Sequence, residues 1–251
     1  MLKIILSGCN GKMGRVITDI INKRNDAAIV AGVDLDISQN GPFPVFNNFN
    51  DITVDADVVI DFSHPAVLTA MLDFAKAKKL AAVIATTGFS AEQIDLIKAS
   101  ANEIPVFFSF NMSLGINLLA ELCRKAATIL DGFDIEIIEK HHNQKIDAPS
   151  GTAILLANEI NDELGGKMDY EYDRHSKRQK RGATEIGIHA IRGGTIVGEH
   201  DVIFAGRDEI ITLSHSARSK EVFAVGAVNA AFFINGKNAG MYSMKELVAE
   251  K

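Results

Sequence analysis

Cysteine is scarce in this chain. Cys9 and Cys123 are the only two, with no CxxC spacing, which excludes a disulfide framework and a cysteine-built zinc site. Long apolar runs are missing too: none approaches the ~20 residues of a membrane span. The apolar part of MLKIILSGCNGKMG is too short for a secretory leader. A cytoplasmic protein without a membrane partner is the expectation. Positive charge is in deficit, with 26 Lys and Arg against 32 Asp and Glu and a net charge of −6. Nucleic-acid binding needs a cationic surface to neutralise phosphates, so it is excluded as the main activity. One local stretch runs the other way. Arg174, Lys177, Arg178, Lys180 and Arg181 fall within eight residues with no acidic residue between them; they read first as a solvated loop and second as a basic rim for a small anion.

What is present is apolar substance: 251 residues, 47% hydrophobic, enough for one large domain or two small ones. Short β-branched runs at 3–8, 28–34, 57–63, 81–88 and 105–111 alternate with helical patterns near 12–24, 65–79 and 90–102. Pro65 suits a first helical position, and Ser90 with Gln93 has the spacing of a capping box. Such alternation predicts an α/β fold with a parallel sheet covered on both faces. After Asn111 the rhythm changes. A helix over 113–130 precedes a strand at 135–139, a helix at 152–164 and three strand-like runs at 184–192, 200–206 and 209–217. Strands in close succession predict a mixed or antiparallel sheet in a second, smaller α+β domain. The apolar helix at 221–234 is expected to return to the first. The expected division is 1–111 with 217–251, and 112–216.

Gly8, Gly11 and Gly14 fall between the first strand and the first helix, in LSGCNGKMGRV. Glycine is required where backbone turns tightly or approaches a pyrophosphate too closely for a Cβ, and the helix N-terminus behind it offers N–H groups to phosphate. Asp34 ends the second strand-like run, where a carboxylate would accept bonds from an adenosine ribose. DFSHP (61–65), ATTGF (85–89) and the segment 109–112 break into small polar residues at further strand ends. Together they outline one dinucleotide crevice, since ligands of open α/β sheets lie beyond the carboxyl ends of the strands.

The second cluster is EIIEKHHNQKIDAPSGTA, 136–153. His141 and His142 point to opposite sides of an extended chain and make a poor chelate, so no metal is expected. Histidine titrates near neutrality and suits proton transfer beside a hydride-transfer step. Lys145 adds a cation, and the Ser-Gly-Thr turn leading into a helix offers N–H groups of Gly151 and Thr152 to a carboxylate. Proton donor, cation and anion cradle lie within one short segment.

This segment resembles the signature of the bacterial dihydrodipicolinate reductase family, and GCNGKMG, DFSHP, ATTGF, NMSLGIN and RGGTIVGEHDVIFAG extend the resemblance over nearly the whole chain. The resemblance implies a Rossmann-like domain joined to a substrate domain whose sheet builds a homotetramer. It implies reduction of 4-hydroxy-tetrahydrodipicolinate, by way of dihydrodipicolinate, to tetrahydrodipicolinate in lysine and diaminopimelate biosynthesis. On it, His141 and Lys145 are catalytic, and His142, Ser150, Gly151 and Thr152 bind a dicarboxylate substrate. Gly8, Cys9, Asn10, Gly11, Lys12, Met13 and Asp34 bind the dinucleotide. Ala85, Thr86, Thr87, Ser109, Phe110, Asn111 and Met112 line its nicotinamide side, with Ala85 where the family often has glycine and Phe110 bulkier than the small residue usual at its position. Hydride transfer between sites on different domains implies closure. Asp34-Leu35-Asp36 carries no arginine where the family commonly has one, so NADH is expected to be preferred. NADPH is accepted as well if Lys12, Arg15 or His64 reaches its 2′-phosphate. Two other readings are a nicotinamide oxidoreductase for a sugar or semialdehyde, which the histidine segment opposes, and a non-enzymatic NAD(P)-sensing module, which needs neither Lys145 nor the Ser-Gly-Thr turn.

Overall fold

The computed structural model describes residues 1–37 and 41–250; of the expected domain ranges, 38–40 and Lys251 lie outside them. The described chain forms two units, Met1–Leu114 with Glu221–Lys251, and Gly115–Lys220.

In the first unit β1 (Leu2–Ser7), α1 (Lys12–Asn22), β2 (Ala27–Val33), β3 (Val45–Phe46), β4 (Val58–Asp61), α2 (Leu68–Lys78), β5 (Ala81–Ile84), α3 (Ala91–Ser100) and β6 (Pro105–Phe108) follow in order. All strand pairs are parallel. The sheet runs β12-β6-β5-β4-β1-β2-β3, with β12 given below. Chain order reverses at β1, so the loop after β1 opens at the switch point where open α/β sheets take their ligands. Successive strand residues face opposite sides. Ile4, Leu6, Val58, Ile60 and Val83 therefore pack under α1 and a later helix, while Ile5, Val59, Ala82 and Ile84 pack under α2 and α3. Burial on both faces is why these strands read as unbroken apolar runs.

In the second unit α4 (Leu114–Ile129), β7 (Asp134–His141), α5 (Gly151–Glu163), β8 (Asp169–Glu171), β9 (Glu185–Arg192), β10 (Gly198–Ala205) and β11 (Ile210–Ala217) form a sheet ordered β11-β10-β7-β9-β8. It is mixed: β7 and β8 pair parallel to β9, and β10 pairs antiparallel to β7 and β11. One face, with Ile135, Ile137, Ile186, Ile188, Val202 and Phe204, packs against α4 and α5. The chain then returns to the first unit as α6 (Glu221–Ile234), β12 (Gly240–Tyr242) and α7 (Met244–Ala249).

The strands expected at 57–63, 81–88 and 105–111 end earlier, at Asp61, Ile84 and Phe108, where their sequences turn polar. The helix expected from Pro65 begins as a 3₁₀ turn, Pro65–Val67, capped by His64. Three of the five cations of the basic stretch are engaged in ion pairs, whereas Arg178 and Lys180 are exposed. Arg174 pairs with Glu185 and Glu136, Lys177 with Glu171, and Arg181 with Asp134 and Glu136. No helix among the described residues is long and apolar enough to cross a membrane.

Candidate active site

In the first unit, Gly8 closes the turn after β1 at φ +76°, and a Cβ there would collide with the Phe62 carbonyl. Gly14 lets α1 pack on this turn; a Cβ on it would fall 2.5 Å from the Cys9 oxygen. Gly11 is the N-cap of α1 and supplies no side-chain cap, and the first turn carries no acidic residue. The leading N–H groups of α1 thus have neither a capping side chain nor a first-turn carboxylate of their own, which suits a pyrophosphate. Asp34 accepts the Asn10 N–H at 2.9 Å, which ties the end of β2 to the glycine turn. These residues fit a dinucleotide. The carboxyl ends of β4 and β5 are joined beneath the same edge by the buried Asp61, which accepts from Ser63 Oγ at 2.5 Å and Thr86 Oγ1 at 2.7 Å. Burial raises the Asp61 pKa above the usual carboxylate range, against the pull of those hydroxyls.

In the second unit the segment between β7 and α5 carries the other cluster. Ser150 caps α5 by accepting the Ala153 N–H at 3.2 Å. Its own N–H donates to Glu139 Oε1 at 2.9 Å. Lys145 Nζ lies 2.8 Å from Asp147 Oδ1. That bond from Lys145 holds the Asp147 carboxyl below the usual range, with a smaller contribution from the Gly151 N–H. His141 ends β7, buried, with Nδ1 2.6 Å from Glu139 Oε2. Sheet register sets Arg192 of β9 beside His141 and His200 of β10 beside Glu139. The Arg192 guanidinium grips both Glu139 oxygens at 2.7 Å. His200 lies edge-on to His141, with ring centroids 5.2 Å apart. Burial first, and then the neighbouring His141, push the His200 pKa down to about 4.

Two family descriptions divide the chain between them: "Dihydrodipicolinate reductase, N-terminus" matches residues 2–112 and "Dihydrodipicolinate reductase, C-terminus" residues 115–248. The chain belongs to the dihydrodipicolinate reductase family. The 4-hydroxy-tetrahydrodipicolinate reductase of Caldanaerobacter subterraneus subsp. tengcongensis is 50% identical over 99% of this chain and 98% of its own length. That of Clostridium tetani is 53% identical over 97% and 96%. Among solved structures, a dipicolinate-bound dihydrodipicolinate reductase from Paenisporosarcina sp. TG-14 has a TM-score of 0.82 at 25% identity, covering 97% of both chains. The diaminopimelate dehydrogenase of C. glutamicum shares the fold, with a TM-score of 0.56 at 16% identity over 100% of this chain and 96% of its own.

Like other members of the dihydrodipicolinate reductase family, then, the chain is a nicotinamide-nucleotide-dependent oxidoreductase. Its predicted site residues separate by environment. Gly8, Asn10, Gly11, Lys12 and Met13 all lie on the turn and first helical residues after β1. Cys9 points inward against Gly32, and burial, aided by Asp34, pushes its thiol up to about 11. Thr87 is exposed and Ala85 buried, while the Thr86 hydroxyl is committed to Asp61. Ser109 donates to the Asn111 carbonyl, Asn111 accepts the Ser113 N–H, and Phe110 stands 77% exposed. Met112 packs into the core under α6. His141, His142, Lys145, Ser150, Gly151 and Thr152 share the β7–α5 segment. Sequence reasoning missed Glu139, Arg192 and His200. Glu139 left a signal: it stands two residues before His141 in a strand, so both face the same side.

Proposed function

We propose that this chain performs the reaction for which its curated relatives are named, the reduction of 4-hydroxy-tetrahydrodipicolinate, with His141 and Lys145 as its catalytic residues. The carrying observation is that the β7–α5 segment collects His141, Lys145 and the start of α5 in a chain matched along nearly its whole length by reductases of this name. The dipicolinate in the Paenisporosarcina structure supports a planar dicarboxylate as the ligand class.

The first unit is the dinucleotide-binding domain, and the second the substrate-binding and oligomerisation domain. The glycine turn and Asp34 would hold the pyrophosphate and adenosine ribose of the dinucleotide, whose reduced nicotinamide would supply a hydride. His141 gives the proton that the reduced substrate takes up. Lys145 Nζ holds a substrate carboxylate, together with His142 and the N–H groups of Gly151 and Thr152 at the positive end of α5. Ser150 contributes by capping α5 and bonding Glu139 rather than by meeting substrate, since its hydroxyl and N–H already have partners. Ala85, Thr87, Ser109, Phe110 and Asn111 lie on the nicotinamide side, with Thr86 and Met112 shaping the loops from behind.

NADH is the preferred cofactor. Asp34 suits a free 2′-hydroxyl and repels a phosphate, and Leu35, 92% exposed, offers no cation. The assembly is a homotetramer built on the sheet face that α4 and α5 leave uncovered, which carries Ile138 and Ile203 beside the Lys140–Glu199 and Lys140–Asp201 pairs. The compartment is the cytoplasm, where the unpaired Cys9 and Cys123 stay thiols. One assay tests the activity: nicotinamide absorbance is followed while the condensation product of pyruvate and aspartate semialdehyde is supplied. Oxidation of NADH is expected. Its absence would leave a nucleotide-sensing module as the better reading.

A further inference from the structure

We infer that Glu139 is a positioning residue: its carboxylate dictates that Nδ1 of His141 carries a hydrogen, so that Nε2 is the nitrogen that exchanges the catalytic proton. The inference rests on His141 being the proton donor proposed above.

Glu139 is fully buried, which is rare for a carboxylate. Its side chain nevertheless has partners on every side. Oε1 accepts from Ser150 N–H at 2.9 Å and from Arg192 Nη2 at 2.7 Å. Oε2 faces His141 Nδ1 at 2.6 Å and Arg192 Nη1 at 2.7 Å. Burial alone would raise its pKa, but the bonds from Arg192, His141 and Ser150 outweigh that and leave it below the usual range. An ionised carboxylate accepts and never donates, so the nitrogen facing it must hold a hydrogen whatever the charge on the ring. Nδ1–H is then constant, and Nε2 alone gains and loses a proton.

The surroundings of Nε2 agree. Gly198 lies alongside, and a Cβ there would stand 3.0 Å from Nε2. Glycine keeps that nitrogen uncovered. His200, the nearest other ring, is held neutral above acidic pH and has its Nε2 3.1 Å from the Ser150 hydroxyl. It neither takes the proton of His141 nor competes for Glu139. Arg192 alone would satisfy both Glu139 oxygens as a bidentate pair, so the additional bond to His141 aims the ring as well as joining strands.

Glu139→Gln separates aiming from scaffolding. Arg192 and the Ser150 N–H are donors only, so they draw the amide oxygen and turn the NH₂ toward His141. The ring must then accept at Nδ1 and carry its hydrogen on Nε2. Expected results are a fall in kcat of roughly 10²-fold, a Kd for pyridine-2,6-dicarboxylate within about threefold of wild type, and ¹⁵N ring shifts of His141 that switch from the Nδ1–H to the Nε2–H tautomer. Adding E139Q to His141→Gln should cost little further rate, because both act through one ring. A neutral His141 in the Nε2–H form in wild-type enzyme overturns the inference whatever the variants do. So does an E139Q enzyme that switches tautomer yet keeps kcat within about twofold, or a double variant slowed by a further ~10²-fold. If E139Q alone loses dicarboxylate binding, E139Q with Arg192→Gln, which removes both charges of the pair together, is measured by the same criteria. Full turnover in His141→Gln would remove the proton-donor reading itself. The wild-type ring spectrum needs no turnover and would still report whether Glu139 fixes the tautomer.

Discussion

Lys145 and Asp147 face each other across the turn before α5, Nζ to Oδ1 at 2.8 Å, and the Gly151 N–H also acts on the Asp147 carboxylate. The protein's own carboxylate therefore rests on two of the donors proposed for substrate. A dicarboxylate must displace it, and removing its charge should ease that step. Asp147→Asn is expected to bind pyridine-2,6-dicarboxylate roughly three- to tenfold tighter at low ionic strength, with the gain shrinking as salt is added. Calorimetric titration at two salt concentrations checks this. Equal or weaker binding at low salt would mean that Asp147 aims Lys145 instead of competing for it.

Lys145→Ala and His141→Gln should each lower turnover by roughly 10²-fold or more. Dinucleotide affinity should not change, because the glycine turn belongs to the other unit. Stopped-flow turnover beside fluorescence titration of NADH separates the two effects. Near-normal turnover in either variant removes that residue from the chemistry.

Gly198→Ala would set a methyl group against His141 Nε2. The expected result is a loss of kcat of about tenfold or more, with NADH binding unaffected and the protein still folded. Steady-state kinetics with circular dichroism would reveal it. An unimpaired kcat would show that the proton leaves by another route.

Acid should weaken the second unit through His200. Its folded pKa is lowered from 6.5 to about 4, so the native ring refuses a proton that the unfolded chain accepts. The penalty is absent well above pH 6.5, grows as pH falls below that value, and levels off once the folded ring titrates near 4. Between pH 7 and 5 this one group should cost roughly 2 kcal/mol of stability. His215, also lowered by burial, adds in the same direction. His200→Gln should lose less stability over that interval than wild type by about the same amount, read from urea midpoints at the two pH values. Parallel losses in the two proteins would mean that His200 is already protonated in the native state.

Wild-type enzyme should show a higher kcat/KM with NADH than with NADPH, and Leu35→Arg should move the ratio toward NADPH by about tenfold or more. Leu35 is exposed, so the change removes no buried side chain. A wild-type preference for NADPH would point to Lys12 or Arg15 as the phosphate's partner.

Much of the first unit was legible because its signals are local. LSGCNGKMG places turn, close approach and helix start in one short run, and each buried strand is a block of β-branched residues. Strands as short as β3 and β12 carry too few residues for any period to register. In the second unit the β7–α5 segment was legible for the same local reason. The partners of His141 were not. Arg192 reaches Glu139 across 53 residues and His200 reaches Ser150 across 50, and only strand register joins them. Register likewise explains the basic stretch, whose Arg174 and Arg181 meet Glu136 and Asp134, distant in sequence, through the pairing of β7 with β9.

The return of α6 to the first unit bears on the order in which the chain matures at the ribosome. Ala224, Ala227, Ala230, Ala231 and Ile234 complete the core that Ile4, Leu6 and Ile17 begin, so that core lacks a wall until α6 has emerged. The second unit is continuous in sequence and has its strands and both covering helices by residue 217. The usual N-terminus-first order of domain folding during synthesis should thereby be reversed. The unit bearing His141 and Lys145 should acquire protease resistance on a nascent chain stalled after β11 has emerged, while the first unit still waits for α6.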